Sequence, residues 1–139
     1  MAELGWFELS LITLIIWGVW GLVGKLALNN LDWRTLYLFT SIGAVFVYLI
    51  FYAVVKPSFI INTGSYYALV AGALGVAGSL TYYLALNQGK VSVVGPLTAL
   101  YPLITVLLAT TVLKEKLTFY QGFGVLLAII AIILISTGK

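Results

Sequence analysis

No cysteine and no histidine occur anywhere in the chain, and only four acids do. The missing cysteine excludes disulfides, thiolate metal sites and sulfur nucleophiles. The missing histidine removes the commonest general base. The acids, Glu3, Glu8, Asp32 and Glu115, fall at predicted helix ends, and no two of them form a pair suited to acid–base work. No spacing suggests a metal-ligand cluster. Serine and threonine lack a histidine partner, which leaves a Ser-Lys arrangement as the one nucleophilic scheme still open. The chain is therefore not expected to be an enzyme, to use a cofactor or to hold a metal.

Charge of either sign is also scarce. Only 8% of residues are charged, while 63% are hydrophobic. A soluble domain carries about 25% charged residues, so the expected solvent is lipid. The 139 residues form a single domain, 1–139, with room for five or six spans. The net charge of +3 is carried by basic residues standing singly between apolar runs. That is the pattern of membrane flanks rather than of a nucleic-acid surface, so no nucleic-acid partner is expected. Near the N-terminus Glu3 and Glu8 stand where a signal peptide has basic residues, and the first apolar run reads as a retained helix.

Charges and turn residues cut the chain into five apolar segments, predicted as helices over 9–28, 33–55, 66–86, 92–113 and 119–136. Each reaches about 20 residues, the length that crosses a hydrocarbon core, and strand-like alternation is missing. Asp32 reads as the N-cap of the second helix, and Lys56-Pro57 closes it. Ser65 reads as the cap of the third, and Gly89 as its left-handed C-terminal residue. The expected architecture is an all-α integral membrane protein with five transmembrane helices and termini on opposite sides.

With that topology Lys56, Lys114 and Lys116 share one face, and Lys25, Arg34, Lys90 and Lys139 the other. Orientation normally follows an excess of Lys and Arg on the cytoplasmic side, and three against four is almost no excess. Either something outside this count sets the topology, or the chain inserts both ways and two copies pair upside down, as inverted repeats do inside many transporters.

In lipid, helices meet through small residues that let backbones approach. Ala68, Gly72, Gly75 and Ser79 align on one face of the third segment, which is expected to be a tight packing face. Gly18, Gly21 and Gly24 do the same in the first. Neutral polar and aromatic groups lie at depth: Trp17 and Trp20 in the first segment, Thr40, Ser41 and Tyr48 in the second, Ser79, Thr81, Tyr82 and Tyr83 in the third, and Thr98, Tyr101 and Thr105 in the fourth. Trp17, Tyr48 and Tyr101 lie deeper than an interfacial belt requires. A tyrosine hydroxyl there needs either an interhelical partner or a wet cavity. Lys25 reads as a snorkelling flank residue that could also draw an anionic solute to a cavity mouth.

The fourth segment holds two prolines. Pro96 is placed in the cheap first turn. Pro102 lies well inside, frees the Thr98 carbonyl and bends the helix beside Thr98, Tyr101 and Thr105, as a static kink or as a hinge. The segment stops on Lys114-Glu115-Lys116, and Thr118 and Gln121 are spaced as a capping box for the fifth helix.

The run "ALNQGKVSVVGPLTALYPLITVLLATTVLKEKLTFYQGFGVLLAIIAIILIS", Ala85 to Ser136, resembles the EamA-type domain of the drug/metabolite transporter superfamily, through "GPL", "LYPL", "KEKLT" and "QGFGVLLAIIAIILI". "WGVWGLVGKLAL", Trp17 to Leu28, is similar to that domain's opening helix. Most relatives join two such domains, inverted, into a ten-helix fold around a solute cavity. The resemblance thus implies half of that fold, in a prokaryotic inner or plasma membrane, and alternating-access transport of small solutes or metabolites such as amino acids or drugs, often outward. An antiparallel homodimer would complete the cavity. Its lining candidates are Trp17, Tyr82, Thr98 and Tyr101, with Pro102 as hinge and Glu115 in a structural turn. The alternative is a membrane interaction subunit or half-transporter that needs an unlike partner.

Overall fold

The computed structural model describes residues 5–137. Among them all regular structure is helical: α1 Trp6–Ala27, α2 Trp33–Val55, α3 Thr63–Gln88, α4 Val91–Thr98, α5 Tyr101–Val112 and α6 Phe119–Thr137. With α4 and α5 taken as one stretch, Val91–Val112, there are five helices long and apolar enough to cross a membrane. The chain divides into two compact units, 1–88 and 89–139.

In the first unit, α3 packs against both α1 and α2. Asp32 begins α2 as expected. Its Oδ1 accepts from the backbone N–H of Arg34 at 2.7 Å and of Thr35 at 3.1 Å, and Thr35 Oγ1 donates to Oδ2 at 2.8 Å. These bonds hold the carboxyl below its ordinary pKa, the Thr35 hydroxyl contributing most and the nearby Arg34 charge least. Lys56 ends α2 in the left-handed conformation, φ 49°, with its N–H on the Tyr52 carbonyl.

Three local expectations for α3 and its neighbours are corrected. Asn62, not Ser65, caps α3: Asn62 Oδ1 accepts from the Ser65 N–H and Ser65 Oγ accepts from the Asn62 N–H, both at 3.1 Å. The two residues form a reciprocal box one turn earlier than the aromatic pair Tyr66-Tyr67 suggested. Gly89 is not left-handed, since no described glycine has positive φ. The chain instead passes straight from Gln88 through an extended Lys90 into α4. The helix α1 also starts three residues before Leu9, because Trp6-Phe7 continues the apolar run.

The second unit holds the broken span, and here α4 packs against α6. The fourth segment is not one kinked helix but two short ones. Pro102 is the second residue of α5, not an interior residue, and Pro96 sits inside α4, beyond its first turn. At the break the Leu100 N–H reaches Leu97 O at 3.3 Å and the Leu103 N–H reaches Leu100 O at 2.8 Å, each three residues back. Pro102 has no N–H to give the Thr98 carbonyl, so the ladder restarts with proline in the first turn of α5, where it costs least. Ala99 and Leu100 stay in the right-handed region, so the break changes the bonding pattern and not the hand of the backbone.

The turn after α5 follows the expected logic. Lys114 is left-handed, φ 58°, and the Glu115 N–H closes on Ala109 O at 3.2 Å. Gln121 Oε1 accepts from the Thr118 N–H at 2.8 Å, and Thr118 Oγ1 accepts from the Gln121 N–H at 3.3 Å, which completes the capping box.

Candidate functional site

The first unit closes at one end. Gly21 and Gly24 of α1 lie under the third helix, where a Cβ on Gly21 would come 2.6 Å from Tyr82 Oη and one on Gly24 would come 2.9 Å from Tyr83 Cε1. Tyr83 and Leu86 are fully buried there, at 1% and 0% exposure, and Leu36 of α2 is buried too, at 3%. Lys25 does not snorkel outward. Its Nζ donates to the Leu86 carbonyl at 2.6 Å, near the C-terminal end of α3, where a cation meets the negative pole of the helix. The expected tight face of α3 is not the packed one. A Cβ on Gly72, Gly75 or Gly78 would meet nothing within 4 Å.

Aromatic rings fill the junction of the three helices. Trp20 stacks on Tyr82 with centroids 4.9 Å apart and planes 18° apart, and it tilts against Tyr83 at 5.4 Å. Tyr37 of α2 meets Tyr83 edge-on at 6.4 Å. Beside this cluster a cleft of about 420 Å³ opens between α1, α2 and α3. It is lined by Trp20, Tyr37, Thr40, Ser41, Ala44, Val45, Tyr48, Val76, Ser79 and Tyr83.

Most hydroxyls on its wall have already given away their protons. Tyr37 Oη donates to Val76 O at 3.1 Å, and Thr40 Oγ1 and Ser41 Oγ donate to Tyr37 O at 2.9 and 2.8 Å. Ser79 Oγ donates to Val76 O at 2.8 Å. Tyr83 Oη differs: it is buried and has no hydrogen-bond partner among the described residues. Thr40 and Trp20 come close to it, but neither reaches hydrogen-bond geometry. An unmet buried hydroxyl costs on the order of 1–3 kcal/mol by protein mutational measures.

The residues expected to line a site fall in two separate units. In the first, Trp17 is half exposed on α1, and Tyr82 is held by the Trp20 stack rather than by the cleft wall. In the second, Thr98 ends α4, and its Oγ1 donates to Val94 O and Gly95 O at 2.9 Å each. Tyr101 opens α5 with 52% exposure, one residue before Pro102. Thr40, Ser41, Tyr48, Ser79 and Tyr83 are polar groups at depth whose sequence signal was visible. Tyr37 was not distinguishable, because it lies only five residues from Asp32 and looks like a flank aromatic.

The EamA-like transporter family matches residues 5–137, nearly the whole chain. The chain belongs to the EamA-like transporter family. It is also similar to an uncharacterized protein of Methanocaldococcus jannaschii, 50% identical over 70 residues, which are 50% of this chain and 51% of that one. The match thus spans about half the length of the curated relative. No solved structure matches the chain. An EamA-like chain is a multi-pass membrane protein of a transporter family, and the five apolar spans and the scarcity of charge agree with that.

Proposed function

We propose that this EamA-like chain moves a small solute or metabolite across the membrane by alternating access. Family membership over 5–137 carries the reading. Two features support it: the mostly apolar, hydroxyl-bearing cleft of the first unit and the interrupted span of the second. A restarted helix is a place where two rigid pieces can change angle without losing a bond that either piece needs. In this reading the Ala99-Leu100 step, set by Pro102, is the hinge. Tyr82 and Trp17 in the first unit, and Thr98 and Tyr101 in the second, are candidate solute contacts, each to be tested by itself. The near-balance of Lys and Arg between the two faces supports an antiparallel homodimer.

Reconstitution into proteoliposomes and a flux screen of labelled amino acids and metabolites tests the function. Saturable uptake or release of any of them supports it, and none across the screen counts against it. A Tyr101→Ala variant that inserts normally and transports at the full rate removes Tyr101 from the solute path. C-terminal reporters active on one side of the membrane test the dimer: if every copy reports the same side, the pairing is not antiparallel.

A further inference from the structure

One side of α3 is covered over only part of its length. Gly75, Ser79, Tyr82 and Leu86 follow one another at steps of four, three and four residues, so they share that side. The helix α1 covers its C-terminal end, with Gly21 under Tyr82 and Gly24 under Tyr83 and Leu86. The side continues back through Gly75 and Gly72 to Ala68. A Cβ added at Gly72, Gly75 or the adjacent Gly78 would meet nothing within 4 Å. Leu69, Val70, Leu74 and Val76 flank this strip, and each is more than half exposed. A second helix laid here can bring its backbone closer than the usual interaxial distance of about 8–10 Å.

Two further observations name the occupant. One is depth. The 26 residues of α3 have Gly75 and Val76 at their middle, so the open glycines straddle the level where the helix crosses the centre of the bilayer. Copies with the same orientation can cross at any depth. Copies related by a two-fold axis in the membrane plane cross only where that axis lies, at the midplane, and the residue there faces its own counterpart. The other is charge. Lys56, Lys114 and Lys116 on one face stand against Lys25, Arg34, Lys90 and Lys139 on the other, a near-balance that lets a chain insert both ways. That balance owes nothing to the glycines. No charged residue lies within α3, so inverting one copy brings no like charges together along the helix. The small residues Gly124, Ala128 and Ala131 of α6 are a weaker floor, because two of the three already carry methyls.

We propose that α3 crosses the α3 of a second, inverted copy of this chain at Gly75, with Gly72 of one copy opposite Ser79 of the other. The proposal rests on the antiparallel pairing read above and gives that pairing its surface and register.

The chain has no cysteine, so every disulfide reports an introduced pair. Full-length Gly72→Cys and Ser79→Cys chains with different tags are co-expressed and oxidised in the membrane. The mixed dimer should link, because a disulfide needs Cα atoms within about 7 Å of each other. Either variant expressed alone should link at least about five-fold less, since the two copies of one position are then about 10 Å apart along the helix. Adding Gly75→Ala to both chains should lower the mixed link about five-fold, while the monomer's melting temperature stays level or rises. Ala128→Cys provides the comparison on α6.

Self-linking of either variant without the mixed product would show parallel copies and overturn the proposal. Linking at Ala128→Cys with no mixed product would move the interface to α6 and overturn it too. A mixed link that Gly75→Ala leaves unchanged would mark chance collision and count against it. The C-terminal reporters separate the surface from the pairing. Reporters active on both sides with no mixed link keep the antiparallel dimer and remove α3 from it, whereas reporters on one side alone remove both.

Discussion

Two glycine stripes with the same spacing logic meet opposite fates. On α1, Gly21 and Gly24 are buried under Tyr82, Tyr83 and Leu86. On α3, Gly72, Gly75 and Gly78 face open space. Small residues permit close approach, but what approaches is decided by the bulk on the other side. The C-terminal half of α3 carries two tyrosines and a leucine that need a flat floor, and α1 supplies it. The middle of α3 offers its own flat floor, and nothing in the unit is placed to use it. The first unit is consequently tight where α3 ends and loose along the middle of α3.

The sharpest way to break this contrast is to add bulk at Gly24. Tyr83 is too buried to swing aside, so Gly24→Ala should cost about 1–3 kcal/mol and Gly24→Leu at least the upper end of that. Gly21→Ala should cost less, because its new methyl meets only the tip of the Tyr82 side chain. Unfolding in mixed micelles followed by near-ultraviolet dichroism checks the order. If Gly24→Leu melts like the wild type, α1 does not dock on α3 as described.

Lys25 ties the same end from its edge. Lys25→Met keeps the aliphatic stem and removes the donor to Leu86 O. A charged hydrogen bond of this kind is worth about 1.5–3 kcal/mol when part-buried, and the loss should lie near the lower figure because methionine still packs. The same unfolding assay reads it. A Lys25→Arg variant that restores stability would show that the charge at the helix end matters more than the stem.

How far the sequence foretold this is a matter of range. The five spans, the Asp32 cap and the Thr118–Gln121 box rest on composition along one run or on neighbours within about four positions, and they were legible. The Lys25–Leu86 bond joins residues 61 apart in sequence, and no local pattern marks it. The α3 stripe misled because spacing records which residues share a face, not what that face touches. The Pro102 break was seen as a bend and is a restart, since the sequence shows the missing N–H but not where the next N–H will turn. The cleft was half visible. Its deep hydroxyls could be named, but which of them had spent their protons depended on backbone carbonyls such as those of Tyr37 and Val76.

Asp32 allows a milder perturbation near the tight end. Its pKa is depressed in the folded protein by the Thr35 hydroxyl and the Thr35 and Arg34 amides. The stabilisation is therefore complete above the ordinary carboxylate value of 3.8 and is lost as pH falls through the lower folded value. The wild type should lose melting temperature in that acid window, while Asp32→Asn, which keeps an acceptor at the cap, should lack this part of the acid loss. An identical acid profile in the two proteins would place the acid sensitivity elsewhere.

The smallest expected effect is the most informative about the loose face. Gly75→Ala adds a methyl to open space and removes conformational freedom from the unfolded chain, so the isolated protein should be unchanged or gain up to about 1 kcal/mol. That holds only while nothing covers α3. If two copies pair through this stripe, the same methyl would push their backbones apart, and cross-linking yield or the dimer fraction in nanodiscs would fall while the monomer's melting temperature did not. The stripe on α1 is fixed by its own chain and should give one answer under all conditions. The stripe on α3 should give an answer that depends on protein concentration if a second copy is its partner. A Gly75→Ala effect that is large and independent of concentration would mean that another part of the same chain covers the face.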